Sequence, residues 1–368
     1  MLVAGLVALL LAGLSIAAPG VSAQPAAPAA PAQSTGNEAC LACHATPDMR
    51  ATLPSGEELF VTVDRAAFGQ SVHGRAGLAC VECHTTMSGF PHEPVAAQTR
   101  REYTVQMYTV CATCHEDKYT QTLDSVHQRA LAGGNQEAAV CTDCHGAHDT
   151  KAVADQPRSA IPHTCERCHS EIYGIYQDSV HGAALIGEGN PDVPSCVDCH
   201  GVHTIEGPST SPFRLFSPQI CAGCHGNPEL MGKYGISTNV LNSYVSDFHG
   251  TTVVMFQALA PDQETNKPVC IDCHGVHNIL APEDPASTVN KKENLLATCR
   301  KCHPGADTNF PTAWLSHYEP SPDKAPLVYF VDLFYKLFIP GVLGFMIVFV
   351  ATDAGRRLRN RVKGQRHE

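Results

Sequence analysis

All 18 cysteines of this 368-residue chain fall in C-x-x-C-H runs, and there are nine such runs. Their first cysteines are Cys40, Cys80, Cys111, Cys141, Cys165, Cys196, Cys221, Cys270 and Cys299. Their second cysteines are Cys43, Cys83, Cys114, Cys144, Cys168, Cys199, Cys224, Cys273 and Cys302. The histidines that close them are His44, His84, His115, His145, His169, His200, His225, His274 and His303. No thiol is left for a disulfide or a nucleophile. A chain with this pattern must fold around whatever the nine runs hold.

The spacing identifies that group. C-x-x-C-H is the run to which c-type haem attaches. Two thiols add across the two vinyl groups of one porphyrin, and two intervening residues let both sulfurs reach the same macrocycle edge. The histidine that follows is placed to ligate iron from one face. Zinc knuckles also use paired C-x-x-C, but zinc does not require a histidine directly after every second cysteine. The pattern therefore predicts nine haem c groups with their iron, covalently held by the cysteines and ligated proximally by the nine histidines.

Eleven histidines remain: His73, His92, His127, His148, His163, His181, His203, His249, His277, His317 and His367. Most stand in register with two alternating kinds of run. Openers begin at Cys40, Cys111, Cys165, Cys221 and Cys299, and each is followed by a spare histidine: His73 and His181 in "SVHG", His127 in "SVHQ", His249 in "DFHG" and His317 in "LSHY". Closers begin at Cys80, Cys141, Cys196 and Cys270. Three of them read C-x-D-C-H-G-x-H and supply His148, His203 and His277, whereas the closer at Cys80 has its extra histidine, His92, later. Five openers and four closers thus offer nine distal ligands for nine irons, with His163 and His367 surplus and His163 the reserve for His92. Met49, Met107, Met231 and Met255 lie near the runs but share no register, so they are read as packing residues.

The spare histidines cannot serve their own irons. His203 lies three residues after His200, on the same side of any porphyrin that His200 ligates. His148 and His277 stand in the same relation to their runs. His127 and His181 each lie 12 residues after their opener's histidine. A helical "SEIYGIYQDSV" would put roughly 18 Å between such ligands. The distal histidines are therefore expected to cross-link neighbouring haems.

These doubled repeats resemble multihaem cytochromes c with tandem C-x-x-C-H units. The resemblance rests on "SVHG" and C-x-D-C-H-G-x-H and covers about Cys40 to His317. It implies closely packed, low-potential haems that pass electrons along a chain, attached outside the cytoplasmic membrane. The fold expected is mainly loops and short α-helices wrapped around a chain of covalently attached haems, with one C-terminal transmembrane helix. Between Cys40 and His317 there is about one haem per 31 residues, too little protein for an aliphatic core. Opener-to-opener spacings are 71, 54, 56 and 78 residues. The extra length of the first unit holds "GEELFVTVD", which predicts a strand or hairpin. That of the fourth holds "YGISTNVLNSYVSDFHG", which predicts one longer helix.

The ends carry different instructions. Residues 1–23 read as a signal peptide, apolar from Leu2 to Ala18 with Val21-Ser22-Ala23 as cleavage site, although the usual basic n-region is absent. An uncleaved anchor helix is the other reading. Residues 24–36 form a Pro/Ala-rich linker, and 37–320 the nine-haem domain of tandem repeats. Residues 327–352 read as a transmembrane helix, and 353–368 as a basic cytoplasmic tail with six cationic residues from Arg356 to Arg366. Asp332 and Lys336 stand four apart on one helical face and are expected to pair, to sit at the interface, or to meet a partner or quinone. Of the net charge of −11, the tail from Arg356 contributes +5, leaving −16 on the rest. Such a domain repels nucleic acid and favours redox partners with basic docking patches.

With two histidines per iron, no coordination position stays open for a substrate. The expectation is an electron-transfer protein and not an enzyme. It would be anchored in the cytoplasmic membrane with its haems in the periplasm or outside the cell. It would relay electrons between a quinol-oxidising or cytochrome b-type membrane subunit and soluble or outer-membrane redox partners. The alternative is a multihaem reductase of a nitrogen or sulfur oxyanion with one open haem, first suspected at Cys80. A quinol dehydrogenase acting alone is a third option, with little room for quinone on a single span.

Overall fold

The computed structural model describes residues 35–87, 90–207, 210–291, 293–313, 317, 320–323 and 325–364. The signal peptide, nearly all of the linker and His367 lie outside the described residues.

Short helices and loops dominate. Each closer is a one-turn helix: Cys80–Cys83, Cys141–His145, Cys196–His200 and Cys270–His274. Its third residue is acidic, and the carboxylate accepts the backbone N–H just before the first cysteine. Glu82 does so from Ala79, Asp143 from Val140, Asp198 from Ser195 and Asp272 from Val269, at 2.6–2.7 Å. This is the C-x-D/E-C pattern at work: it satisfies an orphan donor at the N-terminus of a helix too short to be stable alone.

An arginine upstream of each internal opener grips the same carboxylate. Arg101 pairs with Asp143, Arg158 with Asp198 and Arg214 with Asp272. Each also donates to a carbonyl ahead of the closer; Arg214 reaches those of Thr265 and Lys267. Asn37 takes this place in the first unit, donating to the Leu78 carbonyl and accepting from the Cys80 N–H. Opener and closer are thereby fixed as one unit.

Successive units are stitched by a second repeated contact. Val72 N–H donates to Thr150 O, Val126 to Ile205 O and Val180 to Ile279 O, each at 2.9 Å. The donor opens the histidine-bearing turn of one unit; the acceptor lies two residues past the spare histidine of the next unit's closer. The serine before each valine is buried, and Ser71, Ser125 and Ser179 cap these turns through their hydroxyls. The arrangement is a series of repeats with contacts between neighbours.

Apolar packing is thin. One cluster holds Tyr108, Leu131, Ala138 and Val140, another Leu215, Tyr244, Val253 and Val269. Neither could stabilise a chain of this length unaided.

The first unit carries the expected hairpin, Arg50–Thr52 antiparallel to Glu58–Phe60. The fourth differs from expectation. Its extra length makes two helices, Val240–Ser246 and Phe248–Leu259, broken at Asp247, whose backbone is extended. "SEIYGIYQDSV" is likewise divided: Ser170–Gln177 is helical, and Ser179 caps a new turn. At the C-terminus one helix runs from Pro326 to Gly364, unbroken through Pro340. It continues past residue 352 because the basic segment is itself helix-forming and Asp353 pairs with Arg357 one turn on, at 2.7 Å. Its stretch Pro326–Val362 is long and apolar enough to cross a membrane, and none of its apolar window is buried against the rest of the chain. Asp332 and Lys336 pair at 2.7 Å.

Candidate haem-binding sites

Every C-x-x-C-H histidine faces one other imidazole. Pairs formed by opener histidines are His44–His92, His73–His115, His127–His169, His181–His225 and His249–His303, with ring centroids 6.0–6.2 Å apart. Those formed by closer histidines are His84–His148, His145–His203, His200–His277 and His274–His317, over the same 6.0–6.2 Å range. Two imidazoles on opposite sides of one metal, with metal–nitrogen bonds of about 2 Å, have centroids about 6.2 Å apart. The gaps are too wide for ring–ring contact and match a shared iron, so the residues present fit haem. Zinc fits poorly: among the described residues no three His, Cys, Asp or Glu side chains converge as a metal site.

The pairing follows a rule that spacing could not reveal. Opener histidines reach forward: His73, His127, His181 and His249 each face the opener of the next unit. Closer histidines reach backward: His148, His203 and His277 each face the closer of the preceding unit. In the first and last units of this chain, local residues take these places. His92 serves the first opener, at His44, and His317 serves the last closer, at His274. Consequently His84 of the Cys80 closer is faced by His148. His92 lies in another pair, and the Cys80 site, first suspected of being open, has two imidazoles.

Backward reach depends on a glycine. Gly146, Gly201 and Gly275 follow the closer histidines with φ of 72°, 81° and 83° and ψ of −179°, 175° and 178°. Only glycine adopts this conformation readily. It reverses the chain so that the histidine two residues later leaves its own site. The Cys80 closer has Thr85 at this position, which is why it lacks the short C-H-G-x-H form.

Burial holds eleven of these imidazoles neutral. Burial lowers the pKa of His84, His127, His145, His148, His200, His203, His225, His274, His277 and His317, and brings His181 to about 4. Neutral imidazole is the form that ligates metal. Orientation is set by partners of the other ring nitrogen: His44 Nδ1 lies 2.7 Å from Val61 O, His249 Nδ1 3.2 Å from Asp247, and His317 Nδ1 3.2 Å from Ser243 Oγ. His163 stands apart, half-exposed beside Glu166 and Tyr173.

The cysteines show how the sites follow one another. Within each of the first four units the first sulfurs of opener and closer meet. The Cys141 thiol donates to Cys111, driving Cys141 up and holding Cys111 down to about 7; Cys196 and Cys165 do the same, with Cys165 at about 7. Cys270 donates to Cys221 likewise, and Cys80 is raised by burial and by Cys40. A thioether does not ionise, so the lasting content of these contacts is proximity. Between units the closers' second cysteines sense the next opener: Cys83 is raised by burial and then by Cys111, Cys144 by burial and then Cys165, and Cys199 and Cys273, both to about 11, by burial and then, among their cysteine neighbours, by Cys221 and Cys299. The nine runs therefore neighbour one another in sequence order.

Residues 66–146 match the family described as cytochrome c7 and related cytochrome c. That stretch contains the runs at Cys80, Cys111 and Cys141 and is similar to a multihaem c-type cytochrome family, a likeness that suggests haem c and electron transfer. No curated protein and no solved structure matches the chain.

Proposed function

We propose that the chain is a membrane-anchored nine-haem c-type cytochrome that relays electrons between a quinol-linked membrane partner and exported redox acceptors. The observation that carries this is the set of nine imidazole pairs, one per C-x-x-C-H run, all at the spacing of a shared iron. Haem, when bound, supplies a one-electron iron couple. The chain's residues do the rest. Cysteine pairs fix each macrocycle covalently. Opposed histidines would hold each iron from both sides, which would exclude substrates and leave electron transfer as the available chemistry. Runs that neighbour one another in order keep successive carriers adjacent.

A reductase of nitrogen or sulfur oxyanions needs one vacant position, and a second imidazole opposite each proximal histidine speaks against it. The apolar helix Pro326–Val362 supports an anchor, and the cations after Asp353 support a cytoplasmic end for it. The haem domain then lies in the periplasm or outside the cell. The expected membrane partner is a quinol-oxidising or cytochrome b-type subunit, the distal partners soluble or outer-membrane redox proteins.

The test combines haem counting with low-temperature EPR of the oxidised protein. Nine haems per chain, all low-spin, are expected. A stoichiometric high-spin centre would overturn the relay in favour of a reductase, and fewer than nine haems would overturn the assignment of the runs.

A further inference from the structure

The helix Phe248–Leu259 has no acidic or basic residue apart from His249. One of its faces is committed. At about 100° per residue, His249, Val253 and Phe256 share a side; His249 stands against His303, and Val253 is buried in the cluster with Leu215, Tyr244 and Val269. The opposite side holds Thr251, Val254, Met255 and Ala258, flanked by Phe248 and Leu259, and all six are exposed. Phe248 and Leu259 are each 77% exposed and Met255 54%. An uncharged apolar face of this kind, on a chain that carries −16 ahead of its basic tail, is an interaction surface.

Its position in the chain identifies what covers it. His317 pairs with His274 of the same unit, and its Nδ1 lies 3.2 Å from Ser243 on the adjoining helix Val240–Ser246. Nine residues later, at Pro326, the apolar helix begins. Nine residues span at most about 32 Å when fully extended. The fourth unit is thus tethered beside the anchor, whereas His44 and His92 belong to the opposite end of the array.

We infer that the fourth unit rests on the lipid bilayer through the Phe248, Met255 and Leu259 face, which makes the Cys270 and Cys299 sites the membrane end of the relay and the Cys40 site its outward end. The inference rests on the anchored relay proposed above. A bilayer suits this face because apolar side chains without charge settle at the boundary of headgroups and acyl chains. Reducing equivalents from the membrane then enter beside His274 and His303 and leave beside His44.

The experiment marks one iron at each end. His317→Met and His92→Met each convert one axial pair to His/Met, which raises that potential and gives the centre its own low-spin signal. Full-length holoprotein is placed in nanodiscs containing a lipid whose headgroup carries a gadolinium chelate, and the relaxation of the marked signal is measured. The His317→Met signal is expected to relax several-fold faster with the chelate than without, and the His92→Met signal to change little. Adding Met255→Glu and Leu259→Glu should reduce the first effect while the long helix still holds the protein in the disc. Equal enhancement at both marks overturns the assigned ends. No response to the two glutamates assigns the face to a protein instead of lipid and overturns the surface. Failure of the full chain to enter nanodiscs overturns the anchor itself, and the inference with it.

Discussion

Replacing Gly201 with alanine should damage an iron site in the preceding unit and leave its own intact. Gly201 has φ 81° and ψ 175°, a region open almost only to glycine. A side chain there costs roughly 1–3 kcal/mol if the backbone holds its course. Relaxing that strain moves His203, two residues on, away from His145, so the Gly201→Ala protein should favour the detached form of His203 by roughly 5- to 150-fold relative to the native chain. The site that opens is that of Cys141, while Cys196, Cys199 and His200 precede the altered turn. Carbon monoxide titration of the ferrous protein counts open irons. Native protein should take up none and Gly201→Ala up to one per chain. His203→Ala opens the same iron directly. The double variant should therefore also take up one, since the two changes act on one element and cannot add. Two equivalents in the double variant would mean that Gly201 guards the Cys196 iron, and the backward-reaching scheme would be refuted.

Other outcomes follow from the same geometry. Arg214→Ala removes a 2.7 Å pair with Asp272 and bonds to two carbonyls in a partly exposed setting, a loss of about 2 kcal/mol; amide exchange should quicken between Thr265 and Asp272, and unchanged protection would refute the clamp. His163→Ala should leave the EPR spectrum and haem count unaltered, because its imidazole faces Glu166 and Tyr173 and not a C-x-x-C-H histidine; loss of any low-spin signal would show otherwise. Expression without haem attachment should yield a chain with little amide protection, since the two small apolar clusters are its main conventional core; cooperative unfolding of the haem-free chain would contradict that.

The C-x-x-C-H runs and the histidines that face them were legible because they recur. One C-x-x-C-H run has several readings, but nine, with spare histidines in register, leave few. The sequence also told that His203 could not serve its own run. It could not tell which run it does serve, because that depends on how units stack: on Val126 N–H finding Ile205 O and on the chain reversal at Gly201. The partner of His92 was hidden for the same reason. Its nearest run in sequence is Cys80, but His148 of the next unit occupies that side. Helix boundaries failed where a capping residue outranked periodicity, as at Ser179, or where backbone turned extended, as at Asp247. The long C-terminal helix ran past its apolar limit because hydropathy reports the solvent a helix prefers and not where its hydrogen bonds stop.

Forward and backward histidine exchange has a bearing on how such chains can change in length. An internal unit donates one imidazole to each neighbour and receives one from each. Copying a whole unit in tandem would add two C-x-x-C-H runs and leave no histidine of a run unfaced; deleting one would remove two as cleanly. A cut that parts a run from its spare histidine would leave one site with a single imidazole. Growth in pairs, with His92 and His317 as fixed terminators, is the mode of expansion this architecture permits.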